Sequence, residues 1–268
     1  MSESLTGQVH ALMARASRDA IMPHYRTLDD GEITNKAADD VVTVADHASE
    51  TILTEGLARL LPQASIVGEE AAEADPSIMD RLGDGLCWIV DPLDGTNNFA
   101  FGKPPFGVLV ALAEGGETVA GWIYDCLSGR FCHAIQGGGA FVDGEPVSAR
   151  ATGHDVPIAA ISLIFLDQAE RAAVSEHIAP HYELVDIPRC AAEQYPRLAL
   201  GENDVSLFNR TLPWDHAAGA LWLNEAGGKV ARLDGSAYRP ADWERTGLIG
   251  AATPQLWDAL AERIAAMG

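Results

Sequence analysis

Apolar residues recur at helical spacing near the start of the chain. Leu5, Val9, Leu12, Met13 and Ala16 fall on one face and predict a helix within residues 3–26. A second helix is expected from Asp46 to Leu61, stopped by Pro62. Ser65-Ile66-Val67 predicts a short strand that delivers Gly68-Glu69-Glu70. The run Leu86-Cys87-Trp88-Ile89-Val90 is continuously apolar with a β-branched end, the pattern of a buried strand. Pro92 fixes φ and has no N–H to give a ladder, so this strand is expected to end there. Phe106–Ala113, Thr118–Cys126 and Phe131–Ile135 alternate with glycine-containing turns and predict an antiparallel meander. Turns at Gly137-Gly138-Gly139-Ala140-Phe141 and Asp143-Gly144 continue it.

The second half alternates strand and helix. Strands are expected at Ile158–Phe165, Glu183–Ile187, Lys229–Leu233 and Gly247–Ala251. Helices are expected at Gln168–Ile178, at Ala191–Leu200 despite Pro196, at Asp215–Ala226 and at Pro254–Met267. The order is mixed α and β in layers, an α+β class. The 268 residues can form one domain, and a compositional shift at Arg150–Asp155 suggests sub-domains 1–150 and 151–268 with a site between them.

The chain carries 18 Lys+Arg against 39 Asp+Glu, a net charge of −21. A field of that sign repels nucleic acid and anionic membranes and favours cations. Cys87, Cys126, Cys132 and Cys190 have no CxxC spacing and read as small buried apolar groups in a reducing compartment. No basic region followed by an apolar stretch opens the chain and no segment reaches membrane-span length, so a cytoplasmic location is expected.

The candidate chemistry centres on Asp91-Pro92-Leu93-Asp94-Gly95-Thr96, where two carboxylates leave a buried strand on one rigid turn. Hard divalent cations want oxygen ligands held in this way. The same composition also suits a plain type I turn. A haloacid-dehalogenase nucleophile loop is excluded, because one residue too many separates the carboxylates and Pro92 stands where the nucleophile belongs. Glu69 and Glu70 read either as a solvated loop or as further ligands. Asp215 reads as the N-cap of its helix or as a buried carboxylate that requires a cation. Ala217, Ala218, Gly219 and Ala220 let that helix approach another backbone closely.

Gly-Glu-Glu, then Asp-Pro-Leu-Asp-Gly-Thr-Asn-Asn-Phe, then Trp-Asp-His-Ala-Ala-Gly, in this order, resemble the inositol monophosphatase family. These are lithium-sensitive, magnesium-dependent phosphatases related to fructose bisphosphatases and phosphonucleotide phosphatases. The resemblance extends to Asn35-Lys36, to Val42–Asp46, to the Gly137–Phe141 turn and to Glu225-Ala226-Gly227-Gly228. It implies a layered αβαβα sandwich, usually a homodimer, acting on a small phosphate ester with two or three Mg²⁺. By position, Glu69, Asp91 and the Leu93 carbonyl would hold one ion, and Asp91, Asp94 and Asp215 a second. Glu70 would sit by the nucleophilic water and could assist a third ion. Thr96, oriented by Asp46, would accept a hydrogen bond from that water or help deprotonate it, and the N–H groups of Gly95 and Thr96 would cradle phosphate. Lys36 reads either as a surface lysine or as a cation near the acidic cluster.

The resemblance weakens at the substrate. Relatives that hydrolyse inositol phosphates place a glutamate where this chain has Phe208 or Asn209, and their Gly-Ser/Thr-Ala-Ala stretch reads Arg189-Cys190-Ala191-Ala192 here. Ala191, Phe208 and Arg210 are the candidate substrate contacts. An apolar Phe208 with Arg189 or Arg210 nearby suits another polyol, a sugar phosphate, histidinol phosphate or a second phosphate. Alternatives are a phosphonucleotide or sugar bisphosphate phosphatase, or a non-enzymatic binding protein.

Overall fold

A computed structural model describes residues 4–266 apart from 29, 30, 32, 38, 39, 162, 164 and 165, and leaves out the side chains of 33, 35–37, 40 and 41. The expected strand at Ile158–Phe165 and the side chain of Lys36 therefore lie partly or wholly outside the described residues.

Helix α1 (Leu5–Ala16) is followed by a hairpin of β1 (Ile33–Ala37) and β2 (Asp40–Thr43), then by α2 (Val44–Leu60). The next elements are β3 (Ser65–Gly68), α3 (Glu69–Ala74), β4 (Leu86–Asp94), the short α4 (Thr96–Ala100), β5 (Gly107–Glu114), β6 (Glu117–Asp125), β7 (Phe131–Ile135), β8 (Ala140–Val142) and β9 (Glu145–Val147). Strands β3 to β9 form one seven-stranded sheet in sequence order, antiparallel except for the parallel β3–β4 pair. The second half contributes β10 (Ile158–Ile161), α5 (Gln168–Ala173), β11 (Glu183–Val185), α6 (Ala191–Ala199), β12 (Val205–Phe208), α7 (Pro213–Glu225), β13 (Lys229–Arg232), β14 (Leu248–Ala251) and α8 (Pro254–Ala265). Its strands form a five-stranded sheet in the order β11-β10-β12-β14-β13.

The layers follow from strand alternation. Along β4, Trp88 and Val90 enter a core shared with Val9 and Met13 of α1 and Leu53 and Leu57 of α2. Cys87 and Ile89 point the other way, into a core with Tyr195 and Leu198 of α6 and Ala217, Trp222 and Leu223 of α7. Strand β5 divides in the same manner, with Val108 and Val110 on one side and Leu109 and Ala111 on the other. Because both faces are covered, β4 and β5 read as continuous apolar runs. Helices α6 and α7 also cover the inner face of the second sheet through Val230 and Leu248. Trp257 and Leu260 of α8 close its outer face with Ile249 and Ala251. The result is the expected αβαβα sandwich. Helix α7 lies very close to β6: a Cβ added at Gly121 would stand 2.8 Å from the Ala218 backbone.

Several expectations need correction. Strand β4 does not stop at Pro92 but runs to Asp94. Asp91 pairs with Leu109 and Asp94 with Gly107, so β4 carries one extra residue there. Such a bulge removes the need for a donor at the proline. Glu69 and Glu70 are not loop but open α3, whose Glu-Glu-Ala-Ala-Glu-Ala sequence favours helix. Asp215 is not an N-cap: Leu212 caps α7, Pro213 takes the first position and Asp215 stands in the first turn. Strand β12 and the β1–β2 hairpin had no sequence expectation, because Ser206 and the polar Thr34-Asn35-Lys36 interrupt their apolar patterns.

Candidate metal and catalytic site

The β4 bulge turns the chain so that Asp91 and Asp94 both project from one strand end. Asp91 is fixed by its own turn, its Oδ1 accepting from the Leu93 N–H at 3.0 Å. The Pro92 carbonyl is tied to α2 by the Ser49 hydroxyl at 2.7 Å. Gly95 follows with φ of +83°, which L side chains rarely adopt, and α4 begins at once.

Helix α7 brings Asp215 to the same place from the other half of the chain. Carboxylate oxygens of Asp91, Asp94 and Asp215 all lie within 4.8 Å of one another. Asp91 and Asp94 are buried and Asp215 is half-buried. Burial pushes the Asp91 carboxyl well above the usual carboxylate range, and Glu69, Asp94, Asp215 and Asp46 push it further by like charge. Asp94 is also raised by burial, although backbone N–H groups and Cys190 oppose the shift.

The supports of Asp94 had no signal in the spacing of the sequence. Its Oδ2 accepts from the Ala192 N–H at 2.6 Å and from the Cys190 thiol at 3.0 Å. The N–H of Ala191 also lowers its pKa, so that N–H is directed at Asp94. The start of α6 therefore fixes one oxygen of Asp94. Cys190, buried as expected, acts here as a donor as well as a packing group.

Asp46 and Thr96 come together as the sequence suggests. The Thr96 Oγ1 stands 3.0 Å from Asp46 Oδ1 and 2.8 Å from the Leu93 carbonyl. One hydroxyl proton can serve only one of these acceptors at a time, and either choice leaves a lone pair on Oγ1. Asp46 is itself held in a capping box, accepting at Oδ2 from the Thr43 N–H at 2.9 Å and hydroxyl at 2.6 Å. Burial pushes its carboxyl up to about 6, and the Glu70 charge adds to the effect.

Glu69 and Glu70 are delivered by a residue that composition does not single out. Glu50 of α2 accepts from the backbone N–H of Glu70 at 2.9 Å and of Ala71 at 3.0 Å, capping α3. Glu70 is buried and Glu69 half-buried, and both stand outside the 4.8 Å group of three.

The substrate candidates are scattered. Phe208 packs on Tyr195, with ring centroids 5.7 Å apart, and on His216 at 4.8 Å. His216 is wholly enclosed: its Nε2–H donates to the Arg210 carbonyl at 3.1 Å and its Nδ1 accepts from the Tyr195 hydroxyl at 2.8 Å. Arg210 is exposed and lines a cleft with Glu69. Lys36 lies on β1, its side chain outside the described residues.

Crowded like charges in a buried place are costly unless a cation neutralises them. The donors are hard carboxylate oxygens, the set that suits Mg²⁺. The acidic triad fits a divalent cation.

The model of the inositol monophosphatase family matches residues 3–267. The chain is 32% identical over 241 residues to the chloroplastic phosphatase IMPL1 of Arabidopsis thaliana, covering 85% of this chain and 63% of that protein. It is 30% identical over 252 residues to the Nus factor SuhB of Escherichia coli K12, covering 92% of this chain and 91% of that one. The crystal structure of extragenic suppressor protein suhB from Bartonella henselae superimposes with a TM-score of 0.81 at 26% identity, over 97% of this chain and 98% of that one. The family match and the likeness to proteins named as phosphatases make this a phosphoric monoester hydrolase. The chain belongs to the inositol monophosphatase family.

Proposed function

We propose that the protein is a Mg²⁺-dependent phosphomonoesterase acting on a small phosphate ester. The observation that carries this reading is the convergence of Asp91, Asp94 and Asp215 from two distant segments within 4.8 Å. Glu69, Asp91, Asp94, Asp215 and the Leu93 carbonyl would hold the cations. When bound, two Mg²⁺ supply charge neutralisation, water activation and leaving-group stabilisation. This also explains how a chain of net charge −21 accepts an anion, since bound ions set the local field.

The chain's own groups then have defined tasks. Thr96, anchored by Asp46 or by the Leu93 carbonyl, presents its remaining lone pair to a water and orients it for attack. Glu70, buried next to Asp46, is a second acceptor for that water. The N–H of Gly95 is directed at Asp94, which leaves the Thr96 N–H at the start of α4 as the backbone donor for the phosphate. Cys190 and Ala192 hold Asp94 in one rotamer, so the site is built before substrate arrives.

A partner role is the second reading, favoured by the likeness to an E. coli protein named as a Nus factor. The converging carboxylates favour the enzyme, because a binding surface has no need of buried like charges. Phosphate release from a panel of phosphomonoesters, with Mg²⁺, with EDTA and with added Li⁺, tests the proposal. Release that needs Mg²⁺ and is suppressed by EDTA and Li⁺ is expected. Release indifferent to EDTA would refute the metal reading.

A further inference from the structure

Helix α6 reaches towards two members of the acidic triad. Its first turn fixes Asp94, through the Cys190 thiol and the Ala192 N–H. Three residues after Ala192, close to one turn further along the helix, Tyr195 directs its hydroxyl to His216. His216 directly follows Asp215 in the chain. Asp94 and Asp215 come from distant segments, and α6 bridges them.

The direction of the Tyr195–His216 bond is set by its surroundings. The Arg210 carbonyl, 3.1 Å from Nε2, can only accept, so Nε2 carries the proton of the neutral ring and Nδ1 is left as an acceptor. The Tyr195 hydroxyl, 2.8 Å from Nδ1, therefore donates. Both side chains are buried, so removing either one leaves a polar atom of the other without a partner.

The ring that carries this hydroxyl has little freedom to swing. Phe208 stacks on it with centroids 5.7 Å apart, and a Cβ at Gly219, one turn after Asp215 in α7, would collide with it. Helices α6 and α7 are thereby held at one close distance. Helix α6 is in turn fastened to the first sheet, where Arg130, just ahead of β7, meets Glu193 at 2.6 Å. Beyond Arg210 the chain is held as well, because the buried Arg232 guanidinium donates to the Thr211 hydroxyl at 2.7 Å and to the Arg245 carbonyl at 2.9 Å. Both ends of the Tyr195–His216–Arg210 clasp are anchored.

We propose that Tyr195 and His216 are positioning residues that set the separation of Asp94 and Asp215, and that this fixed separation lets the site discriminate between divalent cations by size. The proposal rests on the metal reading above. Mg²⁺ demands near-ideal octahedral geometry with oxygens at about 2.0–2.1 Å, whereas Ca²⁺ accepts about 2.3–2.6 Å in a flexible shell. Holding two carboxylates at one distance therefore matters to Mg²⁺ and far less to Ca²⁺.

The test measures Mg²⁺ and Ca²⁺ binding to the cation-free protein by titration calorimetry, in the wild type, Tyr195→Phe, His216→Phe and His216→Gln. Tyr195→Phe keeps the packed ring and removes only the donor. It is expected to weaken Mg²⁺ by about tenfold and Ca²⁺ by about twofold or less, as when a group supporting a metal ligand is lost. His216→Phe should do at least as much, and adding Tyr195→Phe to it should change little, because the shared bond is already broken. His216→Gln keeps an acceptor oxygen and a donor N–H, and should retain most of the Mg²⁺ affinity. Ile249→Val, in the outer core of the second sheet, controls for general destabilisation and should leave the ratio of the two affinities unmoved. A ratio unmoved in a Tyr195→Phe protein that still binds Mg²⁺, or moved equally by Ile249→Val, would overturn the clasp alone. Binding of neither cation by the wild type would overturn the metal reading and the clasp with it.

Discussion

Asp94 concentrates the chemistry of the site in one side chain. One of its oxygens is occupied by Cys190 and Ala192, and the carboxylate still shares a 4.8 Å group with Asp91 and Asp215. Asp94→Asn removes a hard ligand and a charge together, and should lower Mg²⁺-dependent turnover by about 100-fold or more while leaving the circular dichroism spectrum unchanged. Cys190→Ala removes only a supporting donor. A shift of the Mg²⁺ half-activation concentration by about tenfold is expected, read from a metal titration of phosphate release. The converging carboxylates themselves were legible in the sequence, because Asp-Pro-Leu-Asp-Gly-Thr and Trp-Asp carry their residue types at fixed spacing. Cys190 was legible only as a buried cysteine. Its partner lies 96 residues away, and only the packing of α6 brings them together.

At the scale of elements, α2 organises more of the site than its pattern suggests. Its capping box holds Asp46, Ser49 ties down the β4 bulge, and Glu50 caps α3. Glu50→Ala should cost about 1–2 kcal/mol, the range for loss of a helix cap, seen as a lower urea midpoint. The same variant should need more Mg²⁺, because Glu69 and Glu70 lose their anchor. The limits of sequence reading lie at this scale too. Strands with both faces covered, such as β4 and β5, announced themselves by continuous apolar runs. Strand β12 did not, although it sits at the centre of its sheet between β10 and β14. With only four residues and a polar Ser206 in the middle, its place is set by its neighbours. The bulge at Pro92 was hidden for a related reason, since a proline is read as a strand end unless the partner strand shows the extra residue.

Across the whole molecule, the buried carboxyls give the stability a defined pH dependence. Asp46, pushed up to about 6, binds its proton more tightly folded than unfolded. Its contribution is complete below the ordinary 3.8 and is lost as pH rises through about 6. Asp91 and Asp94, also raised, act with the same sign. His216 opposes them: burial lowers it to about 3, so its contribution is present above the ordinary 6.5 and is lost as pH falls towards 3. The Tm of the cation-free wild type relative to that of Asp46→Asn should therefore fall as pH rises from about 4 to about 7, the window in which Asp46 loses its proton. Mg²⁺ should raise the Tm more at the higher pH, where the carboxylates are ionised, and scanning calorimetry in EDTA and in Mg²⁺ checks both. The net charge of −21 points to cations as partners but not to where the carboxylates are buried.

We propose that the carboxylates gathered from β4, α3 and α7 hold divalent cations. Crystals soaked in Mn²⁺, a stand-in for Mg²⁺ with usable anomalous scattering, test it most directly. Anomalous peaks between Asp91, Asp94 and Asp215, and between Asp91 and Glu69, are the expected result. A clean map at this site, in crystals whose carboxylates remain in place, would contradict it.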